Sequence, residues 1–358
     1  MTAWMLSLWL MQAATYPQVV AQADAAREAG RVEEAIPLYQ QAVKLRPSAP
    51  EAWWYLGMSL YERDRCGEGE SAFRQVTTLD QVNGAAWAML GLCEFQNRKY
   101  DAALRSLVLA KTHGIPRGNE MEKVAAFHLV ILLNRDGQHE LASSVMMDLA
   151  ANRAESAGLI PAAGITALRL RYLPAEIPAE WRERVTWAGR AALLGWNKKP
   201  AEGQELVQQL IAKHPDLSNA HYLLGYLLLL SNQSDAALAE FREELRVTPG
   251  HVQARLQTAY EYLKRGEAAQ GLPFAAEAVR LAPGEFMARN ILGRIQLELG
   301  QVAGATRELE AAVKLAPTSP ESHFHLANAY ARAGRKADAQ RHRDVFARLT
   351  KQKERANP

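Results

Sequence analysis

A proline returns every 34 residues through the second half of the chain, at Pro215, Pro249, Pro283 and Pro317, and Gly266, Gly300 and Gly334 keep the same beat. A fixed period of this length requires stacked supersecondary units, because one such unit cannot bury its apolar face alone and does so against its neighbours. An array grows by adding units, so a chain of 358 residues needs no division into two globular cores. With 48% apolar and 23% charged residues, the composition is that of a folded chain rather than a disordered one.

Laid in register, units start near residues 16, 50 and 84, then near 123 out of phase, then near 184, 218, 252, 286 and 320. Apolar residues within a unit recur at spacings of three and four with no alternation of period two. That is the pattern of two amphipathic helices joined by a short turn. Trp53, Leu56, Gly57 and Leu60 run down one such face. Proline closes the unit because it lacks an N–H and disfavours helix in the residue before it. Small residues recur at the eighth and twentieth places, as in Gly57 with Gly69, Gly225 with Ala237 and Gly293 with Ala305, and predict a close approach of the two helices.

The register breaks twice. Residues 112–118 add a loop before a degenerate unit at 123–152, and residues 157–183 hold Pro161, Pro174 and Pro178 around one predicted helix at 162–172. The expected organisation is a hydrophobic N-terminal segment at 1–15, an array of about four units at 16–156, an irregular joint at 157–183, an array of five units at 184–350 and a polar tail at 351–358. The joint is either a decayed repeat stacked in line or a hinge.

On specific residues the unit resembles the tetratricopeptide repeat. Trp53-x-x-Leu56-Gly57 and Trp87-x-x-Leu90-Gly91 match that family's first helix, while Ala35-x-x-x-Tyr39 with Pro47 and Ala237-x-x-x-Phe241 with Pro249 match its second helix and exit turn. His221-x-x-Leu224-Gly225 and Arg289-x-x-Leu292-Gly293 keep the shape without the Trp. The resemblance covers most of residues 16–350 and implies an all-α, right-handed superhelical solenoid of helix-turn-helix units, with a concave face lined by the first helices.

It also implies which places of the unit face the groove: the second, fifth, ninth, twelfth and thirteenth. On this chain those places give Trp54, Met58, Tyr61, Leu92, Phe95 and Phe127 in the first array, and Tyr222, Tyr226, Leu230, Tyr260, Asn290, Arg294, Asn328 and Arg332 in the second. Tyr222, Tyr226 and Tyr260 are expected to form an aromatic shelf that buries apolar area while offering hydroxyls to a peptide backbone. Asn290 with Arg294 and Asn328 with Arg332 each place an amide one turn before a guanidinium, a pairing suited to a peptide group and a carboxylate. The competing reading has the tyrosines filling helix contacts and the arginines paired with Glu298 or Glu321. The pattern is not the Lys/Asn/Arg carboxylate clamp of the family's chaperone-binding members.

Catalytic patterns are missing from the sequence: no His-Glu-x-x-His, Gly-x-Ser-x-Gly, phosphate loop or dinucleotide fingerprint occurs. His323 and His325 are two apart on a predicted helix, about 200° around it, and cannot share one metal. Cys66 and Cys93 are too few for a disulfide scaffold and too widely spaced for a zinc motif; they are expected as two free thiols, with a disulfide as the alternative in an exported chain. A formal charge of +3 gives no argument for nucleic acid, and the basic run after Arg335 reads as a solvated final helix. Residues 3–11 form a short apolar run before Ala13 and Ala14, which suits a secretory signal; an uncleaved anchor and a cytoplasmic packing helix are the alternatives. The expectation is a non-enzymatic, cofactor-free scaffold that binds a protein or peptide, with an acidic segment as one candidate ligand. It has no nucleic-acid partner and no membrane span beyond the N-terminal segment, and it is either exported or cytoplasmic. Two alternatives stand beside it: an envelope-associated assembly factor, and a regulatory repeat region related to a repeat-containing enzyme.

Overall fold

The computed structural model describes residues 14–116, 120–151 and 158–356, so the candidate signal lies outside the described residues except for Ala14 and Thr15. These residues hold nineteen α-helices and no strand. They fall into two compact units, Met1–Arg153 with Arg169–Ala179, and Ala154–Leu168 with Glu180–Pro358. The first contains four helix pairs: α1 (Tyr16–Glu28) with α2 (Val32–Leu45), α3 (Pro50–Glu62) with α4 (Cys66–Leu79), α5 (Gly84–Gln96) with α6 (Tyr100–His113), and α7 (Glu120–Asp136) with α8 (His139–Ala150). The second begins with α9 (Ile160–Ala167), α10 (Ala179–Trp196) and α11 (Pro200–Lys213). It continues with α12 (Ala220–Leu230) and α13 (Ser234–Val247), α14 (Val252–Lys264) and α15 (Ala268–Leu281), α16 (Phe286–Glu298) and α17 (Val302–Leu315), and α18 (Pro320–Arg332) and α19 (Lys336–Ala356). Helix α19 runs on through residues 351–356 of the segment read from sequence as a polar tail.

One turn design repeats between the helices of a pair. The fifteenth residue of the unit takes a positive φ, at Gly30, Asp64, Arg98, Gly137, Lys198, Asn232, Gly266, Gly300 and Gly334. The next N–H then reaches back five residues, as in Arg65 to the Leu60 carbonyl (2.9 Å), Glu267 to Tyr262 (2.9 Å) and Gln301 to Gln296 (2.8 Å). This bond satisfies a carbonyl orphaned at the helix end and reverses the chain. Five of these nine positions are glycine and four are not, which is why glycine alone under-reports the beat.

The fourth place explains how units survive without their tryptophan. Trp53 Nε1 donates to the Pro47 carbonyl (2.8 Å) and Trp87 Nε1 to the Gln81 carbonyl (2.8 Å), six residues back in each case. Arg289 Nε donates to the Pro283 carbonyl at 2.8 Å and His323 Nε2 to the Pro317 carbonyl at 3.0 Å, so three side-chain chemistries serve one purpose, fastening a first helix to the exit turn before it. The same fourth-place residue meets the twenty-third place of its own unit: His221 with Glu240 (2.6 Å), Arg289 with Glu308 (2.8 Å) and His323 with His342 (2.8 Å).

At the eighth place, glycine makes room for a large side chain from the second helix. A Cβ on Gly225 would stand 2.5 Å from the ring of Phe241, and one on Gly57 would stand 2.7 Å from the ring of Phe73; both rings are fully buried. The close approach expected from the paired small residues is present as well, since a Cβ on Gly203 would lie 2.8 Å from the Ala191 carbonyl.

The helix expected over 162–172 is shorter and starts earlier, at Ile160–Ala167. Pro161 sits where its missing N–H is harmless, and Arg169 in a left-handed conformation (φ 55°) ends the helix. Glycine is required in this stretch: added Cβ atoms on Gly164 and Gly189 would overlap the Val185 and Ile160 carbonyls, so α9 and α10 touch backbone to backbone. A single 3₁₀ turn, Pro174–Glu176, precedes α10.

Candidate functional site

Two cavities lie along the first helices of the last three pairs. One of about 760 Å³ is lined by Leu263, Arg294, Phe324, His325, Asn328 and Arg332, among others. A second of about 490 Å³ takes in Gln253, Tyr260, Met287, Asn290, Arg294 and His325. They share Arg294 and His325, so together they make one continuous groove across α14, α16 and α18.

Five of the expected residues meet in this groove, and they do so in different ways. The Arg294 guanidinium lies 5.4 Å from the centre of the Tyr260 ring, which Lys264 approaches at 5.8 Å. Among the described residues Arg294 has no carboxylate within salt-bridge distance, so its donors are open to the groove. Arg332 is engaged: it donates to the Leu297 carbonyl at 2.6 Å and sits 3.9 Å from Glu298, the pairing the competing reading anticipated. Asn290 is buried and donates to Ser322 Oγ (3.1 Å), tying α16 to α18. Asn328 is half-buried and lines the larger cavity.

Tyr222 and Tyr226 line neither cavity. The Tyr222 ring packs against Phe241 (5.7 Å) and His251 (4.7 Å), and its N–H donates to the buried carboxylate of Glu244 at 3.2 Å. Burial pushes the Glu244 carboxyl above its ordinary range, while the Asn219 N–H, also bonded to it at 2.9 Å, pulls the other way. Tyr226 bonds to Trp196, and burial raises its phenol. Of the expected shelf, Tyr260 alone faces the groove.

In the first unit, Trp54 lines a separate cavity of about 290 Å³ with Tyr55, Asp80 and Asn83, and its ring meets Phe73 edge-on at 5.7 Å. Tyr61 and Met58, like Trp54, pack on the cluster holding Cys66 and Cys93. Leu92 is buried, Phe95 packs on His128 at 4.6 Å and Phe127 on the same ring at 5.7 Å, while Leu230 in the second unit is exposed.

His325, which the sequence marks only as unable to share a metal with His323, lines both halves of the groove. Burial first, then the charge of Arg294, pushes its imidazole down to about 4, so it is neutral near pH 7. Gln253, Met287 and Glu321 also line the groove. All three occupy the second place of their units, so the register already held the signal that would have found them. No group of three or more metal-ligating side chains occurs among the described residues, and no described helix is long and apolar enough to cross a membrane.

A tetratricopeptide repeat profile matches residues 20–65, 57–110 and 197–252, and a TPR repeat profile matches 293–334; together they span just over half of the chain. The chain belongs to the tetratricopeptide repeat family. Each of its two units is an all-α array of helix-turn-helix repeats, the repeat architecture of that family. No curated protein sequence matches it significantly. Solved structures with similar chains include MamA, residues 41 to the end, from Desulfovibrio magneticus RS-1 (19% identity, 48% of this chain and 96% of that one, TM-score 0.42). Another is YrrB, described as a TPR protein with an unusual peptide-binding site (16% identity, 46% and 84%, TM-score 0.41). The APC/C hetero-tetramer Cut9–Hcn1 is similar over 94% of this chain and 80% of the matched one, at 13% identity and TM-score 0.40.

Proposed function

We propose that this tetratricopeptide repeat protein is a non-catalytic scaffold whose second unit binds an extended protein segment in the α14–α16–α18 groove, with an acidic side chain or chain terminus held by Arg294. The observation that carries this reading is the state of Arg294: half-buried over Tyr260, shared by both cavities, and without a carboxylate partner among the described residues. A guanidinium in that position can hold a carboxylate through two parallel bonds. Neutral His325 beside it offers a further donor, and the apolar surfaces of Phe324 and Met287 suit the side chains that alternate along an extended segment.

The test is selection of a random peptide library on the full chain, followed by affinity measurement of the selected peptides on wild type and Arg294→Glu. Acidic peptides should dominate and should lose about 10- to 150-fold in affinity on the variant, the worth of one charge-assisted hydrogen-bond pair. Equal binding to both proteins refutes the assignment of Arg294. The apolar run at 3–11 followed by Ala13 and Ala14 supports a second reading about place rather than mechanism, that the chain is exported as an envelope-associated assembly factor. A mature N-terminus at Met1 in the native host refutes it.

A further inference from the structure

The sulfurs of Cys66 and Cys93 lie 3.2 Å apart, and both side chains are buried. Cys66 is the first residue of α4 and Cys93 lies near the end of α5, so the two thiols face each other across the seam between one helix pair and the next. They are 27 residues apart in sequence, and no third ligating group joins them among the described residues, which leaves a dithiol rather than a metal centre.

The seam around them is fastened independently. Glu70 of α4 accepts from Lys99 at 2.9 Å and from Asn97 at 2.9 Å, and Asn97 also reaches the Cys66 carbonyl at 3.4 Å. On the far side Arg74 bridges Glu70 and Glu94 at 2.9 and 3.0 Å, and Ser106 donates to Glu94 at 2.6 Å. Phe73, Met89, Leu90 and Leu92 pack about the sulfurs, with Tyr61 against them from the first-helix side. The two helices are therefore held in place whether or not the thiols are bonded. A disulfide needs a sulfur separation of about 2.05 Å, so the two sulfurs have about 1.1 Å left to close.

We infer that Cys66 and Cys93 form a reversible intrachain disulfide that latches the second helix pair to the third when the protein meets a disulfide-class oxidant. Cys66, at the start of a helix, is the attacking group, since helix N-termini favour thiolate. Its thiolate opens the oxidant's S–S bond, forming a mixed disulfide and releasing one thiol. The Cys93 sulfur, having given up its proton, then attacks Cys66 Sγ, forming the protein disulfide and releasing the second thiol. Two electrons and two protons pass from the protein to the oxidant, which ends as two thiols. Burial pushes both protein thiols above the ordinary range, so the exchange is slow in the closed seam and proceeds when the end of α4 opens.

The experiment equilibrates the full chain with oxidised and reduced glutathione at a urea concentration just below the unfolding transition, which removes access as a variable. The expected product is a monomer about 2 Da lighter, with no thiol titratable after denaturation and a higher urea midpoint, all restored by a dithiol reductant. Cys66→Ser and Cys93→Ser should each show no change in midpoint between oxidised and reduced buffer. Three outcomes overturn the inference: thiols that stay titratable after oxidation, a stable adduct carrying one glutathione, or a covalent dimer. Each shows that the sulfurs do not close on one another. None of these outcomes bears on the groove of the second unit.

Discussion

Acid should loosen both compact units through one histidine in each. His325 in α18 and His139 in α8 are both pushed down to about 4, by burial first and then by the nearby charges of Arg294 and Arg169 respectively. A base whose folded value lies below its unfolded one, about 6.5, contributes its full stability above 6.5. That contribution is lost as pH falls from about 6.5 toward about 4, because the unfolded chain takes up a proton that the folded chain refuses. For values of about 4 and 6.5 the linkage amounts to about 2 kcal/mol per histidine at about pH 5. Urea unfolding of the full chain followed by circular dichroism at about pH 7 and about pH 5 reads this loss. Carboxylates titrate over the same range, so the informative quantity is the difference between wild type and variant. His325→Gln and His139→Gln should each lose about 2 kcal/mol less than wild type between the two conditions. His221 supplies the opposite sign. Its bond to Glu240 raises its pKa, so its contribution is present at low pH and lost as pH rises, and His221→Gln should be hurt more at about pH 5 than at about pH 8. The reasoning fails if His325→Gln and His139→Gln keep the pH dependence of wild type.

The left-handed fifteenth place gives a clean backbone test. Nothing lies within 4 Å of a Cβ added at Gly300, whose φ is +74°, so Gly300→Ala should cost about 1–2 kcal/mol from conformation alone. At the same place Arg98 has φ 57°, and Arg98→Gly should be neutral or stabilising by up to about 1 kcal/mol; a fall in Tm would refute the shared turn design. Gly225→Ala should destabilise by about 1–3 kcal/mol, because its Cβ meets the buried Phe241 ring, and a urea midpoint equal to wild type would show that the ring can shift. An acidic peptide in the groove should raise the His325 pKa, so its affinity should increase as pH falls below about 6. Isothermal titration at several pH values checks this, and His325→Gln should abolish the slope.

The fold was legible because repetition turns weak local signals into a strong one. No single Trp-x-x-Leu-Gly match would carry an architecture, but the same spacing at Trp53, Trp87, His221 and Arg289 does, and the structure supplies the reason the first residue can vary. Trp53, Arg289 and His323 all place an N–H within reach of a carbonyl six residues back, while His221 turns to Glu240. The boundaries of α9 were not legible, since the helix is set by backbone contact of Gly164 and Gly189 with carbonyls distant in sequence, and a one-dimensional pattern holds no record of that contact.

The candidate groove was legible in position more than in chemistry. Register placed Tyr260, Asn290, Arg294, Asn328 and Arg332 on one face, and the structure gathers all five around connected cavities. What register could not show is which polar groups are already satisfied. Asn290 and Arg294 look equivalent as neighbours one turn apart, yet the amide is consumed by Ser322 while the guanidinium rests on an aromatic ring with its donors open. Arg294 and Arg332 look equivalent as ladder partners, yet Arg332 is bound to the end of the preceding first helix. A hydrogen bond already made inside the fold is worth little to a ligand, which must break it before forming its own. In the proposed binding mode, recognition therefore concentrates on Arg294 rather than spreading along the ladder. Substitution at Arg332 is accordingly expected to act on α16 and α18 first, and on binding only through them.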